Sequence, residues 1–320
     1  MIVVRDGETS KLSTDEAVVA IGVFDGLHLG HQAIIDMLLH LDGERARDAI
    51  PTILTFDPHP AQVLAPERGL RLLGTLEQRL EGFEALGIEQ VRVLTFDRHL
   101  ANESASDFVG RVLAGELHAC EVVVGEDFRF GHDRLGDVEL LSAEGQRYEF
   151  GVYEAPTYGE PRWSSSAVRR ALLRGDLVDA SAILGRPFVL RGSVQHGDAR
   201  GAELGFATAN LATAPLQLIP LEGVYAGAVR TPDRQWWPAA ISIGTRPQFY
   251  EDGELLVEVH VPGYSSDLYG ARLDVAFLQR LRDQEVFANV DMLTGQIARD
   301  VRETLEIFEK FSPLASALLE

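Results

Sequence analysis

The stretch Val18-Val-Ala-Ile-Gly22-Val-Phe24-Asp25-Gly26-Leu-His28-Leu-Gly30-His31 decides how this chain is built. Val18 to Phe24 has the apolar texture of a buried strand, and the amphipathic run Gln32 to Leu41 predicts a helix directly after it. A strand that turns into a helix presents free backbone N–H groups and the positive end of the helix dipole, which together favour an anion. Gly26 and Gly30 allow close approach of backbone to a ligand, while His28 and His31 bring two imidazoles to the same turn. Downstream the alternation repeats. Thr52–Phe56, Val91–Phe96, Glu121–Val124 and Tyr148–Tyr153 are strand-like, and Leu76–Leu86 and Ser104–Leu113 are helical. Continuously apolar strands separated by helices predict an α/β domain whose parallel sheet is covered on both faces. Such a sheet binds its ligand in the loops beyond the carboxyl ends of its strands.

The texture then changes. Two helical stretches, Ser166–Arg174 and Leu177–Leu184, end at the stop signal Gly185-Arg186-Pro187. Beyond it, Phe188–Gln195, Gly223–Val229, Trp237–Ile243, Leu255–Val261 and Leu273–Leu278 have the spacing of a small antiparallel barrel. Val290–Phe308 predicts a closing helix. The expected domains are therefore residues 1–184 and 185–320, and 320 residues suffice for two cores.

Composition removes several classes of function. The net charge of −20, from 49 acidic against 29 basic residues, disfavours nucleic acid and anionic membranes as partners. No apolar run reaches the ~20 residues of a membrane span, and the N-terminus lacks a basic-then-apolar leader, so a cytoplasmic location is expected. The single Cys120 excludes an internal disulfide and a cysteine-rich zinc site, and its place before Val122-Val-Val124 marks it as a core residue. Only Lys11 and Lys310 are lysines, and neither belongs to a phosphate-binding G-x-x-x-x-G-K-[ST] loop. If the protein handles nucleotides, it must grip phosphate with backbone amides, His, Arg, hydroxyls and metal instead.

The His28-Leu-Gly30-His31 turn resembles the H-x-G-H signature of the nucleotidylyltransferase superfamily. It is followed by Leu54-Thr-Phe-Asp57-Pro-His59-Pro, Val124-Gly-Glu-Asp127-Phe128-Arg-Phe130-Gly131 and Ser164-Ser165-Ser166-x-x-Arg169. In this order the motifs resemble the prokaryotic bifunctional riboflavin kinase/FMN adenylyltransferase family over nearly the whole chain. The resemblance implies a Rossmann-like first domain that transfers AMP from ATP to FMN and releases pyrophosphate, giving FAD. His28 and His31 would act on the triphosphate as catalytic residues. Gly22, Phe24, Asp25, Gly30, Ser164, Ser165 and Arg169 would bind nucleotide and phosphate, and Asp57, Asp127, Phe128 and Phe130 would line the flavin cleft. Trp163 stands where the family has Ile.

In the second half, Gly197, Gly201 and Gly205 recur every four residues before Phe206-Ala-Thr208-Ala-Asn210. On an extended segment residues i and i+2 share a face, so Thr208 and Asn210 can address one metal–phosphate group with hard oxygen ligands. Gly205-Phe-Ala-Thr-Ala-Asn210 resembles the G-F-P-T-A-N signature of riboflavin kinase, with Gly223-Val-Tyr225, Ile243-Gly-Thr-Arg-Pro247, Val257-Glu258-Val-His260 and Asp267-Leu-Tyr-Gly270 as further matches. By that resemblance Gly197 and Gly205 would bind phosphate, Thr208 and Asn210 would hold Mg²⁺, and Glu258 would be the base that takes the proton of the ribityl hydroxyl. Ala207 replaces the family's Pro, and Ser242 the Asn before Ile-Gly, so a looser phosphate loop and a weaker kinase are expected. The implied protein converts riboflavin to FMN and FMN to FAD with ATP and Mg²⁺. The alternatives are a chain active only as an adenylyltransferase and a flavin-binding protein with an impaired kinase site. Neither oligomeric state nor relative rates follow from the sequence.

Overall fold

The computed structural model describes residues 1–8, 11–41, 46, 48–156, 163–196, 204–245 and 255–318, with side chains to residue 311. Contacts divide the chain into two units, Met1–Arg71 with Leu76–Trp163, and Leu72–Thr75 with Ser164–Glu320.

The first unit runs β1 (Ile2–Arg5), β2 (Ala17–Ile21), α1 (Leu29–Leu39), β3 (Ile50–Asp57), α2 (Pro60–Leu64), α3 (Leu76–Ala85), β4 (Gln90–Thr95), α4 (Arg98–Ala101), α5 (Ala105–Phe108), β5 (Ala119–Gly125), α6 (Val138–Tyr148) and β6 (Gly151–Ala155). Its sheet has the order β1-β4-β3-β2-β5-β6, and every pairing is parallel. β2 is buried along its whole length, which explains the unbroken apolar run in the sequence. Alternation splits the core. Val19, Ile21, Leu54 and Val122 pack on one face beneath Phe108, Leu113 and Leu141, whereas Val18, Ala20, Ile53 and Val123 meet Ile35, Leu38 and Phe83 on the other. β2 is followed on one side by β3 and flanked on the other by β5, so the crevice of this fold opens at the β2–α1 turn.

Several elements differ from expectation, among them the barrel strand at Thr208–Thr213, which follows a glycine-rich stretch and for which the sequence predicts only an extended segment around Thr208 and Asn210. β2 ends at Ile21, because Phe24 takes a left-handed backbone (φ 55°). Tyr148 closes a helix instead of opening a strand: Asp137 caps that helix by accepting the Leu140 N–H at 3.0 Å, and the strand starts at Gly151. β1, only four residues at a sheet edge, carries too little pattern to be recognised.

The second unit comprises α7 (Ser165–Leu173), α8 (Leu177–Leu184), β7 (Phe188–Gln195), β8 (Thr208–Thr213), β9 (Gly223–Arg230), β10 (Trp236–Thr245), β11 (Leu255–His260), β12 (Arg272–Arg282) and α9 (Val290–Leu318). Its six strands close into a barrel of order β10-β11-β8-β7-β12-β9, with antiparallel pairings throughout. The compact units part at Trp163/Ser164. The physical reason is that α7 and α8 pack with the barrel: the Leu221 N–H donates to the Leu172 carbonyl at 3.1 Å, and α8 lies against β7 and β12.

Candidate active sites

In the first unit the β2–α1 turn holds the predicted residues together. Gly22, Phe24, Asp25, His28, Gly30 and His31 occupy one loop and the first turn of α1. The path is strained. Phe24 and Leu27 take φ of 55° and 45°, unusual for large side chains, with Gly26 at 82° between them. Phe24 is anchored by burial and by edge contacts to the rings of Phe83 and His31. His28 is the N-cap of α1, and its Nδ1 accepts the His31 N–H at 3.3 Å. That bond puts the proton of the neutral ring on Nε2, making this side a donor. A side chain at residue 30 would bring a Cβ to 3.1 Å from His28 Nδ1, close enough to press on the capping ring. The two imidazoles stack with centroids 3.6 Å apart. Burial above all, then His28 and Arg79, holds His31 well below the usual imidazole range, so it is neutral at pH 7. Its buried Nδ1 has no hydrogen-bond partner among the described residues.

The other predicted residues of the first reaction are spread more widely. Asp57 ends β3 and lies 3.7 Å from an Arg79 nitrogen. Asp127 is exposed, Phe128 is half-buried, and Phe130 is buried between Phe108 and Phe128, whose rings stand 5.9 and 5.2 Å away. Ser164 caps α7, with its Oγ accepting the Ala167 N–H at 3.2 Å, and Ser165 and Arg169 follow on that helix in the second unit.

Along β11 of the second unit, alternation sends Val257 and Val259 into the core and Leu256, Glu258 and His260 to a cavity of about 510 Å³. Glu258 faces Asn210 on β8 and Ser242 on β10, so the amide, the carboxylate and the hydroxyl stand in one row across the barrel. His260 faces Thr208, and its Nδ1 donates to the Ala207 carbonyl at 2.8 Å, fixing the start of β8. Apolar walls come from Val224, Ile241 and Phe287, with Leu293 and Ile297 of α9. The Arg282 guanidinium grips Asp300 of α9 by both carboxylate oxygens, at 2.7 to 3.2 Å, joining the helix to β12. Gln284 donates to Ser242 Oγ at 3.0 Å and to the Ile243 carbonyl at 2.8 Å, so the serine that departs from the family pattern has a defined partner. A smaller recess of about 160 Å³ lies beside Thr208, lined by Val259, Val261, Tyr264 and Tyr269. Gly205 precedes β8 at φ 84°, and Gly197 lies outside the described residues.

Asn210 fits a hard cation: its Oδ1 is buried with no hydrogen-bond partner among the described residues, and the exposed Thr208 lies two positions away on the same strand. No cluster of three or more His, Cys, Asp or Glu side chains suited to a metal occurs among the described residues. Sequence reasoning passed over Arg79, Gln284 and the Arg282–Asp300 pair. Arg79 did carry a signal, since it occupies the buried face of α3 in the spacing Leu76, Arg79, Leu80, Phe83.

A strand-to-helix turn with two stacked imidazoles on a parallel sheet, and a barrel that aligns carboxylate, amide and hydroxyl, have the groups of an enzyme that transfers phosphate between small molecules. Residues 10–167 match the family model for FAD synthetase, and residues 184–308 that for riboflavin kinase. The bifunctional riboflavin kinase/FMN adenylyltransferase of Escherichia coli (strain K12) is 36% identical over 308 residues, 95% of this chain and 96% of that one. The enzyme of the same description from Pseudomonas fluorescens is 39% identical over 289 residues, 89% of this chain and 90% of its own. A crystal structure described as a macrolide-efflux protein from Streptococcus pneumoniae has a TM-score of 0.83 at 29% identity, covering 95% of this chain and 99% of that one. The chain belongs to the bifunctional riboflavin kinase/FMN adenylyltransferase family. No helix among the described residues is long and apolar enough to cross a membrane.

Proposed function

We propose that the second unit phosphorylates riboflavin to FMN and that the first site adenylylates FMN to FAD, with ATP and Mg²⁺ in both steps. The row Asn210–Glu258–Ser242 over an apolar cavity carries the kinase assignment. The isoalloxazine ring fits the apolar walls, and the ribityl chain would extend toward Glu258. The Glu258 carboxylate takes the proton of the terminal hydroxyl as that oxygen attacks the γ-phosphorus and ADP departs. Thr208 and Asn210 would hold Mg²⁺, which supplies neutralisation of phosphate charge. The recess beside Thr208 suits the nucleoside of ATP.

Adenylylation needs no strong base, because the attacking oxygen of FMN is already an anion. Its barrier lies in bringing two anions together and in the charge gathered on the α-phosphate. The Nε2–H of His28, the neutral His31 and the amides at the start of α1 supply that stabilisation. Half-buried Phe128 is the flavin contact, with Phe130 as its support from below. Ser164, Ser165 and Arg169 belong to the second compact unit, while the functional domains are assigned as 1–184 and 185–320. With ATP as co-substrate we assign the cytoplasm, and small molecules rather than nucleic acid as partners. Incubation with riboflavin, ATP and Mg²⁺, with FMN and FAD resolved chromatographically, tests the assignment. Both flavins are expected, and accumulation of neither would overturn it.

A further inference from the structure

Arg79 is a component of the first site that no motif announces. It stands on α3, a helix that carries none of the predicted site residues, and is only 5% exposed. Its guanidinium donates to the Val23 carbonyl at 2.7 Å, to Thr55 Oγ1 at 3.2 Å and to the Phe56 carbonyl at 3.4 Å. Thr55 Oγ1 also donates to the Val23 carbonyl, at 3.3 Å. Val23 immediately precedes the left-handed Phe24, and Phe56 immediately precedes Asp57. One planar group thus ties the strained turn that carries His28 and His31 to the turn that follows β3. A guanidinium holds several donors in fixed relative directions, which suits it to join two backbone carbonyls at a set spacing.

We propose that Arg79 is a positioning residue for adenylylation, setting the separation of the Gly22–His31 and Asp57–Pro60 turns and with it the placing of the two imidazoles. This rests on the function proposed above. The charge environment agrees. Burial draws Arg79 down from its ordinary value, and Asp25, Asp57 and Glu77 oppose that, so it remains a cation balanced by carboxylates. His31 in turn faces His28 and Arg79, and both disfavour its imidazolium form.

The test compares Arg79→Met and Arg79→Lys with the parent chain, measuring kcat and KM for FMN adenylylation from pH 5.5 to 9. Riboflavin phosphorylation in the second unit and the protection of buried Cys120 on β5 from a chromogenic thiol reagent report integrity. Arg79→Met is expected to lower kcat/KM for adenylylation by about 10²-fold, the scale of an ångström-level misplacement, mainly through kcat. Its acid limb should move to higher pH, since His31 loses a neighbouring cation. Arg79→Lys keeps the charge but not the fork. It should leave the acid limb in place and recover roughly half of the lost activity on a logarithmic scale. Arg79→Met within threefold of the parent with Cys120 still protected would overturn the proposal. If Arg79→Met exposes Cys120, the lysine variant decides, and adenylylation indistinguishable from the parent would overturn it. A parent chain that makes no FAD would instead refute the underlying function.

Discussion

Replacing Glu258 by Gln removes the carboxylate that would accept the proton while keeping the length of the side chain. The two side chains have the same length and shape, and Glu258 is half-buried on the cavity face of β11, with the core side of that strand left to Val257 and Val259. The melting temperature of the variant, measured beside its activity, reports any accompanying change in stability. A positioned general base contributes about 10²–10⁴-fold, which is about 2.7–5.4 kcal/mol of barrier. Removing the acceptor while Asn210, Thr208 and the cavity walls stay in place should therefore lower kcat for riboflavin phosphorylation by that factor. KM for riboflavin should change little, because the apolar contacts are untouched. The assay is single-turnover conversion of riboflavin to FMN, with conversion of supplied FMN to FAD measured on the same sample. An unchanged kinase rate would return Glu258 to the role of an ordinary strand residue, and equal loss of both activities would remove the separation of the two sites.

Three further outcomes are expected. His28→Ala should lower FAD formation from FMN by roughly 10²–10³-fold, the cost of one donor to developing charge, while FMN formation from riboflavin continues; FMN formation falling in parallel would contradict this. Because His31 is held below its unfolded value of about 6.5, the unfolded chain takes up a proton that the folded chain refuses. Stability should fall as pH drops below that value, by at most about 1.4 kcal/mol per pH unit, and His31→Gln should flatten this part of a melting-temperature profile from pH 7.5 to 5. Ala207→Pro retains the carbonyl that His260 holds, so it should raise the kinase rate and the melting temperature together, the latter through about 0.4–1 kcal/mol; a lower melting temperature with no gain in rate would mean that the native loop does not accept proline.

What the sequence made legible was whatever repeats with a period or follows a strand directly. The buried strands β2 to β5 and five of the six barrel strands advertise themselves by composition, β8 being the exception, and the turn from β2 into α1 combines glycines and histidines in ten residues. Helix α6 was hidden because Gly145 sits in its interior, where the close approach of Phe150 admits no side chain: a Cβ there would lie 2.7 Å from the Phe150 carbonyl oxygen. The boundary between compact units was hidden for a different reason. Gly185-Arg186-Pro187 is a real chain stop, but the faces that α7 and α8 bury are matched by the barrel, and a stop signal does not say on which side a helix packs. Within the sites, the residues proposed to act directly lie in motifs. Arg79 and Gln284 act through backbone carbonyls brought near by folding, and no local pattern encodes such a meeting.

The claim that two independent sites on one chain perform consecutive reactions is tested most directly by complementation. His28→Ala and Glu258→Gln proteins are each incubated with riboflavin, ATP and Mg²⁺, separately and mixed, and FAD is followed over the time in which the parent chain completes conversion. Neither variant should make appreciable FAD alone, the first stopping at FMN and the second leaving riboflavin unphosphorylated, while the mixture should restore FAD as FMN released by one is taken up by the other. A mixture that accumulates FMN but no FAD, or a single variant that has lost both reactions, would contradict the account.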